Sequence, residues 1–173
     1  MELKTLKLQN NSDKCIICGV ENLFSLGAKF YELQKDVLCT ITLGRDEHQS
    51  YPGRMHGGMI SALLDETMGR AIQIREPNVW GVTSTLNVKF RKPVPLNESI
   101  KCFGRVVRST QIGFSCVGII EDENGTLLAT AEATYIKIPL NEITDHDNML
   151  WQNFPDERAL KFVNISNTNA LKL

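Results

Sequence analysis

The sequence predicts an α+β fold: one antiparallel sheet curled around a single buried helix. Two observations carry that expectation. Residues Gly57 to about Arg75 form one long helix candidate, apolar around most of its circumference (Met59, Ile60, Ala62, Leu63, Leu64, Met68, Ala71, Ile72, Ile74), which suits a buried rather than a surface helix. Strand-like segments flank it in the order β-β-α-β-β-β-β. The short connections between them favour antiparallel neighbours in an α+β layer architecture.

Each element has its own signal. Residues 1–20 are polar and punctuated, and read as an N-terminal arm; residues 21–138 carry the folded domain. Its first strands fall near Gly27–Leu33 and Val37–Leu43. A polar loop follows from Gly44 to Met55, with Pro52-Gly53 as a turn signal. After the helix, Trp80–Phe90 alternates, with Trp80, Val82, Leu86, Val88 and Phe90 on one face and Thr83, Thr85, Asn87 and Lys89 on the other. Pro93 and Pro95 end that strand. Ile100–Arg108 and Ile112–Ile120 flank the turn Ser109-Thr110-Gln111. Asp122-Glu123-Asn124-Gly125 leads into the last strand, Leu127–Ile138, and its Asn-Gly pair tolerates positive φ. Residues 139–173 are expected to form a C-terminal extension, helical from about Pro155, that lays Leu160, Phe162 and Val163 over a sheet edge or a subunit contact.

Bulk properties narrow the function. The 173 residues are 42% hydrophobic and 23% charged, ordinary for a soluble domain with a real core. A net charge of -1 gives no basic bias toward nucleic acid or an anionic membrane. Charges interrupt the N-terminus before a signal peptide could start, and no segment approaches the roughly 20 apolar residues of a membrane helix. A cytoplasmic location is expected, and with it free thiols at Cys15, Cys18, Cys39, Cys102 and Cys116. Cys15-x-x-Cys18 is half a zinc site without a second ligand pair at suitable spacing, leaving open a zinc shared between two copies. The βαβ context of thioredoxin-like redox pairs is missing around it. His48 and His146 have no ligand spacing with each other or with His56, and no Gly-x-Ser-x-Gly elbow marks a serine hydrolase. Neither metal nor cofactor is expected.

The chemistry concentrates on the helix. Met55-His56-Gly57-Gly58-Met59 opens it, and the first amides of a helix lack internal partners and carry partial positive charge. Glycines there admit a ligand oxygen close to the backbone, which suits a polarised carbonyl or an oxyanion; they also suit a tight loop-to-helix joint. Glu66 has Arg70 four residues on, the spacing of a surface ion pair. Asp65 has no local cation, so it is either a general base or nucleophile, or an acid hydrogen-bonded to solvent or a neighbouring strand. Asp65 lies roughly 13 Å along the axis from His56, so one carbonyl cannot meet both the Gly57 amide and Asp65 of one straight helix. If both act, two antiparallel helices about a two-fold axis must pair them across a dimer.

Taken together, Gly53-Arg54-Met55-His56-Gly57-Gly58, Asp65, Gly81-Val82-Thr83 and Pro93 resemble the PaaI-like branch of the hotdog-fold acyl-CoA thioesterases. The stretch from Cys15 to Asn22 is similar to the start of many bacterial members, so the resemblance covers about residues 15 to 138. It implies a hotdog fold, pairing into homodimers and often homotetramers, and hydrolysis of acyl-CoA thioesters. By that resemblance the Gly57 amide polarises the thioester carbonyl. Asp65 of the partner subunit activates water or attacks, His56 orients the site, and Thr83 supplies a hydroxyl to the water. Gly58 and Ser50 join the substrate contacts. Ser50 stands where some members carry Asn, which alters the orienting contact. Lys89, Arg91, Lys92, Arg105 and Arg108 are candidates for the CoA phosphates or plain solvated strand ends. The rival readings are an acyl-CoA sensor or carrier without turnover, and a hotdog dehydratase or hydratase.

Overall fold

The computed structural model describes residues 1–143 and 160–173. Its strands are β1 (Glu2–Leu8), β2 (Lys29–Leu33), β3 (Val37–Leu43), β4 (Trp80–Phe90), β5 (Ser99–Ser109), β6 (Gly113–Asp122), β7 (Leu127–Ile138) and β8 (Phe162–Asn164). The helices are α1 (Gly57–Arg70) and the single turn α2 (Leu140–Ile143). The described strands form one sheet in the order β4-β7-β6-β5-β3-β2-β1-β8, every pairing antiparallel. The six strands and the helix expected from the sequence are present in the expected order. The helix tightens into a 3-10 turn over Ala71–Ile74.

Small residues decide where the helix rests. Cross-strand register places Gly104 beside Gly118, and Gly118 beside Ala131. A Cβ at Gly104 would lie 2.9 Å from the Thr67 carbonyl and 3.0 Å from Met68 Cα, so the α1 backbone sits directly on β5. Ile60, Leu63, Leu64, Thr67 and Met68 are thereby buried. They pack with Phe30, Leu38, Ile100, Cys102 and Ile120 from the inner face of the sheet.

A second core covers the opposite face. Tyr31, Leu33, Val37, Cys39, Phe103, Val117 and Ile119 pack there with Leu3, Val163, Ile165 and Leu171. Burial on both faces is why the central strands read as near-continuous apolar runs, such as Cys116-Val117-Gly118-Ile119-Ile120, rather than alternating ones. Two expectations are corrected here. The N-terminal arm is in part a strand, β1, whose Leu3 and Leu8 are buried. Phe162 and Val163 belong to a short strand paired with β1, not to a helix, with Val163 turned inward between exposed neighbours. The C-terminal segment does cover a sheet edge, by extending the sheet. The expected helix start at Pro155 lies outside the described residues.

Glu121 pins that C-terminal cover. Its carboxylate is fully buried and accepts hydrogen bonds from the backbone N–H of Ser166 (3.1 Å) and Asn167 (2.6 Å) and from Asn167 Nδ2 (2.7 Å). Glu121→Ala strips the partner from these donors and is expected to cost about 2–3 kcal/mol. Urea denaturation checks the loss. Hydrogen exchange is expected to speed first over Val163–Leu171; unchanged protection there would show that apolar packing alone fastens the segment.

One irregularity shapes the site. Between Thr83 and Thr85 the β4–β7 register shifts, so one extra residue is accommodated in β4. The bulge reverses the phase of the alternation. Thr83 reaches the helix, and so do Leu86 and Val88 further along, although strict alternation puts Thr83 and Leu86 on opposite faces. Val82 is turned outward and exposed, correcting its expected place beside Leu86. Among the described residues no helix is long and apolar enough to cross a membrane.

Candidate active site

The helix N-terminus is built by two histidines. His56 caps α1 from an extended conformation (φ -64°, ψ 137°), and its Nδ1 accepts the Gly58 N–H at 2.9 Å. Its own backbone N–H donates to the carbonyl of His48 at 2.8 Å. His48 is buried, its Nδ1 accepting from the Arg45 N–H (3.0 Å) and its Nε2 2.9 Å from the Phe24 carbonyl. With both ring nitrogens engaged, His48 braces the loop under His56. Because the His56 ring uses the Gly58 amide, the amide best placed for a ligand is that of Gly57, the first helical residue. It borders a cavity of about 540 Å³ lined by Ser50, Ile60, Phe90, Arg91 and Lys92, among others.

The second group of site residues lies two turns along the helix. Thr83 Oγ1 donates to the Asp65 carboxylate (2.9 and 3.1 Å to its oxygens). Tyr135 OH donates to Asp65 Oδ1 at 3.1 Å and lies 3.0 Å from the Asp65 carbonyl. Burial first, and the Asp65 charge second, push the Tyr135 phenol well above the ordinary tyrosine value. It therefore stays a proton donor to the carboxylate. Tyr135 is seated by its neighbours: its ring stacks on Phe114 (centroids 4.8 Å apart) and crosses the helix at Gly69, where a Cβ would meet it at 3.2 Å. Asp65, Gly69, Trp80, Gly81, Thr83 and Tyr135 line a small hollow of about 90 Å³. Tyr135 was not singled out from the sequence. Its signal is the inward series Ala129, Ala131, Ala133, Tyr135 on β7, whose alanines leave room for the helix until the tyrosine reaches over it.

Within one chain the expected site residues thus fall into two groups. His56, Gly57, Ser50 and Arg91 gather at the helix start; Asp65 and Thr83 gather with Tyr135 further on. Eight residues of straight helix, about 12 Å, separate Gly57 from Asp65. Lys89 borders a different hollow with Asn87, Thr130 and Glu132, reached also by Arg91. The Gly58 amide is taken by His56. Arg105 donates to the Lys172 carbonyl at 2.8 Å and so anchors the C-terminus. The Glu66–Arg70 pair forms at 2.6 Å but is not a surface pair. Arg70 is buried, stacked 4.3 Å over Phe30 and donating to the Asn10 carbonyl, because the segment before β2 folds over that side of the helix.

The family model described as thioesterase superfamily matches residues 52–129, which contain the His56-Gly57-Gly58 cap, Asp65 and Thr83. Over that segment the chain is similar to the thioesterase superfamily. The chain is 26% identical over 99 residues to human acyl-coenzyme A thioesterase 13, covering 57% of this chain and 70% of that protein. A crystal structure of a thioesterase superfamily protein matches with a TM-score of 0.65 at 22% identity, over 70% of this chain and 59% of that one. The E. coli PaaI protein, from the phenylacetic acid degradation operon, matches with a TM-score of 0.60 at 14% identity, over 65% of this chain and 80% of that one. In both structures the likeness is one of fold.

Proposed function

We propose that the chain hydrolyses acyl-CoA thioesters at a site shared by two subunits, the Gly57 amide of one facing Asp65 of the other. The observation that carries this reading is the construction of Asp65. A carboxylate on a mostly apolar helix receives hydroxyl donors from β4 and β7 and borders a hollow, an arrangement that fixes its direction. A carboxylate so oriented takes a proton from water attacking the thioester carbon. Charge then develops on the thioester oxygen, and an amide at a helix N-terminus meets it with partial positive charge already in place. His56 fixes that amide's position by capping the helix and orients the thioester beside it. Arg91 and Lys92, at the rim of the Gly57 cavity, are suited to CoA phosphates, with Lys89 on the adjoining surface. The separation along α1 is the reason for a homodimer; a dimer of dimers is compatible with the same site.

Subunit mixing tests the shared site. Gly57→Pro removes the amide hydrogen while keeping the helix, since proline is favoured at the first helical position and His56 already has the extended conformation that a following proline requires. A Cβ there meets Phe90 at an ordinary 3.5 Å. Asp65→Ala and Gly57→Pro chains are each expected to be inactive alone. Unfolded together and refolded as a mixture, they are expected to regain about a quarter of wild-type CoA release, because half of the dimers carry one intact site. No recovery, with mixed dimers demonstrated by mass, would overturn the pairing of Gly57 with Asp65 across the dimer.

A further inference from the structure

The segment before β2 carries a second constellation that hydrolysis does not use. Cys15 and Cys18 stand on one turn, closed by the Gly19 N–H donating to the Cys15 carbonyl at 2.8 Å. The turn is specific in its construction. A Cβ at Gly19 would fall 2.4 Å from the Cys15 carbonyl oxygen, so only glycine closes it. The buried Asn11 amide ties it down, donating to the carbonyls of Cys18 (2.9 Å) and Ala28 (2.8 Å). The two sulfurs and a Glu66 carboxylate oxygen lie within 4.8 Å of one another.

Such a cluster could serve a cation or a thiol–disulfide pair, and Arg70 decides between them. Its guanidinium reaches into the cluster, with Nη2 donating to Cys18 Sγ at 3.4 Å and Nε to Glu66 Oε1 at 2.6 Å. A fixed positive charge there opposes a cation and favours a thiolate, taking the role that a helix N-terminus plays in other Cys-x-x-Cys turns. The two sulfurs are also unequal. Cys15 is half-buried and Cys18 fully buried, so a reagent reaches Cys15 first. Cys39, Cys102 and Cys116 lie wholly inside the cores.

We propose that Cys15 and Cys18 are an oxidation site, a dithiol that peroxide converts to a disulfide and that a thiol reductant restores. In the first step the Cys15 thiolate attacks one oxygen of hydrogen peroxide. The S–O bond forms, the O–O bond breaks, and the departing hydroxide takes a proton to become water. Cys15 is then a sulfenic acid. Cys18 sulfur attacks Cys15 sulfur in the second step; the S–S bond forms and the S–O bond breaks. The hydroxide leaves as water with the Cys18 proton. Overall two thiols lose two electrons and two protons, and peroxide becomes two waters. The Cys18 thiol, donating to the Cys15 sulfur, holds Cys15 below the ordinary thiol value, to about 6, against opposing contributions from burial and Glu66. Cys18 itself is held well above the ordinary thiol value, first by its hydrogen bond to the Cys15 sulfur and then by burial, with the Arg70 charge opposing both, so it keeps its proton until Cys15 is oxidised. The site is independent of the hydrolysis reading.

The test uses the reduced full chain, freed of metal with EDTA, and stoichiometric hydrogen peroxide, followed by alkylation and peptide mass mapping. The expected result is a fall from five free thiols to three, the lost pair mapping to Cys15 and Cys18, with full recovery in dithiothreitol. Cys15→Ser is expected to abolish the loss. Cys18→Ser is expected to stop at a sulfenic acid trapped by dimedone. The rate of alkylation at Cys15 is expected to climb up to about pH 6 and level off by pH 7, at least about 100-fold above that of the buried cysteines. Five thiols persisting under stoichiometric peroxide would overturn the proposal, as would a disulfide mapped elsewhere. So would zinc found at one per chain before EDTA treatment, with the pair unreactive until the metal is removed.

Discussion

Replacing Asp65 with asparagine is expected to lower kcat/KM for acyl-CoA hydrolysis by about 10²–10⁴-fold, the contribution of a positioned general base. Asparagine keeps the size of the side chain and an oxygen that can accept from Thr83 and Tyr135, so the hydroxyls that orient the group retain a partner. What it loses is the ability to take a proton. Thr83→Val and Tyr135→Phe each remove one donor and leave the carboxylate in place. Each is expected to cost about 10-fold, the scale of one hydrogen bond's net worth. The measurement is CoA release from short, medium and aromatic acyl-CoAs, at matched oligomeric state. An Asp65→Asn chain as fast as wild type would remove the carboxylate from the mechanism. Wild type that binds acyl-CoA but releases no CoA from any of them would replace hydrolysis with sensing or carriage.

The largest stability effect is expected at Gly104. A methyl group there would meet the Thr67 carbonyl at 2.9 Å and Met68 backbone atoms at 3.0 and 3.1 Å. Backbone inside a helix cannot rotate aside, so Gly104→Ala must lift α1 from the sheet. A cost of about 3 kcal/mol is expected, at the upper end of ordinary overpacking. For a chain of this size that corresponds to a fall in Tm of roughly 6–12 °C. Gly118 is the control, one strand away in the same cross-strand row. A methyl group at Gly118 meets the Met68 side chain at 2.8 and 2.9 Å and Leu64 Cδ2 at 3.2 Å, and flexible side chains can move. Gly118→Ala is expected to cost about 1 kcal/mol. Equal losses at the two positions would show that the helix yields as readily as a methionine side chain. Lifting α1 also moves Asp65 relative to Tyr135, so Gly104→Ala is expected to lose activity below its melting range as well.

The comparison of sequence with structure turns on particular residues. The apolar circumference of the helix could be read directly, because residues that must be buried all round have nowhere to go but the centre of a curled sheet. Asp65 could be singled out for the same reason: an acid without a local cation stands out on such a helix. The bulge at Thr83 could not be read. Alternation assigns faces by counting in twos, and a single extra residue in β4 reverses every assignment beyond it. The second core was hidden as well. A near-continuous apolar run says that both faces of a strand are covered but not by what, and the cover here comes from β1 and from Val163–Leu171 at the two ends of the chain.

What the sequence by itself determined is therefore local: the strand order, the central helix, its glycine-rich start and the isolated acid within it. Periodicity, turn residues and helix-end chemistry act over a few neighbours, and each was present in the string of residues. The tertiary structure alone decided which distant groups complete the site and the surrounding core. Tyr135 reaches Asp65 from 70 positions away because Gly69 and Gly81 leave space for its ring. Arg70 leaves the surface because the Cys15–Cys18 turn folds over it. The buried Glu121 carboxyl group is satisfied because three donors from Ser166 and Asn167 arrive to meet it. Each pairing depends on the packing of the sheet around the helix, and packing relates positions that no local rule connects.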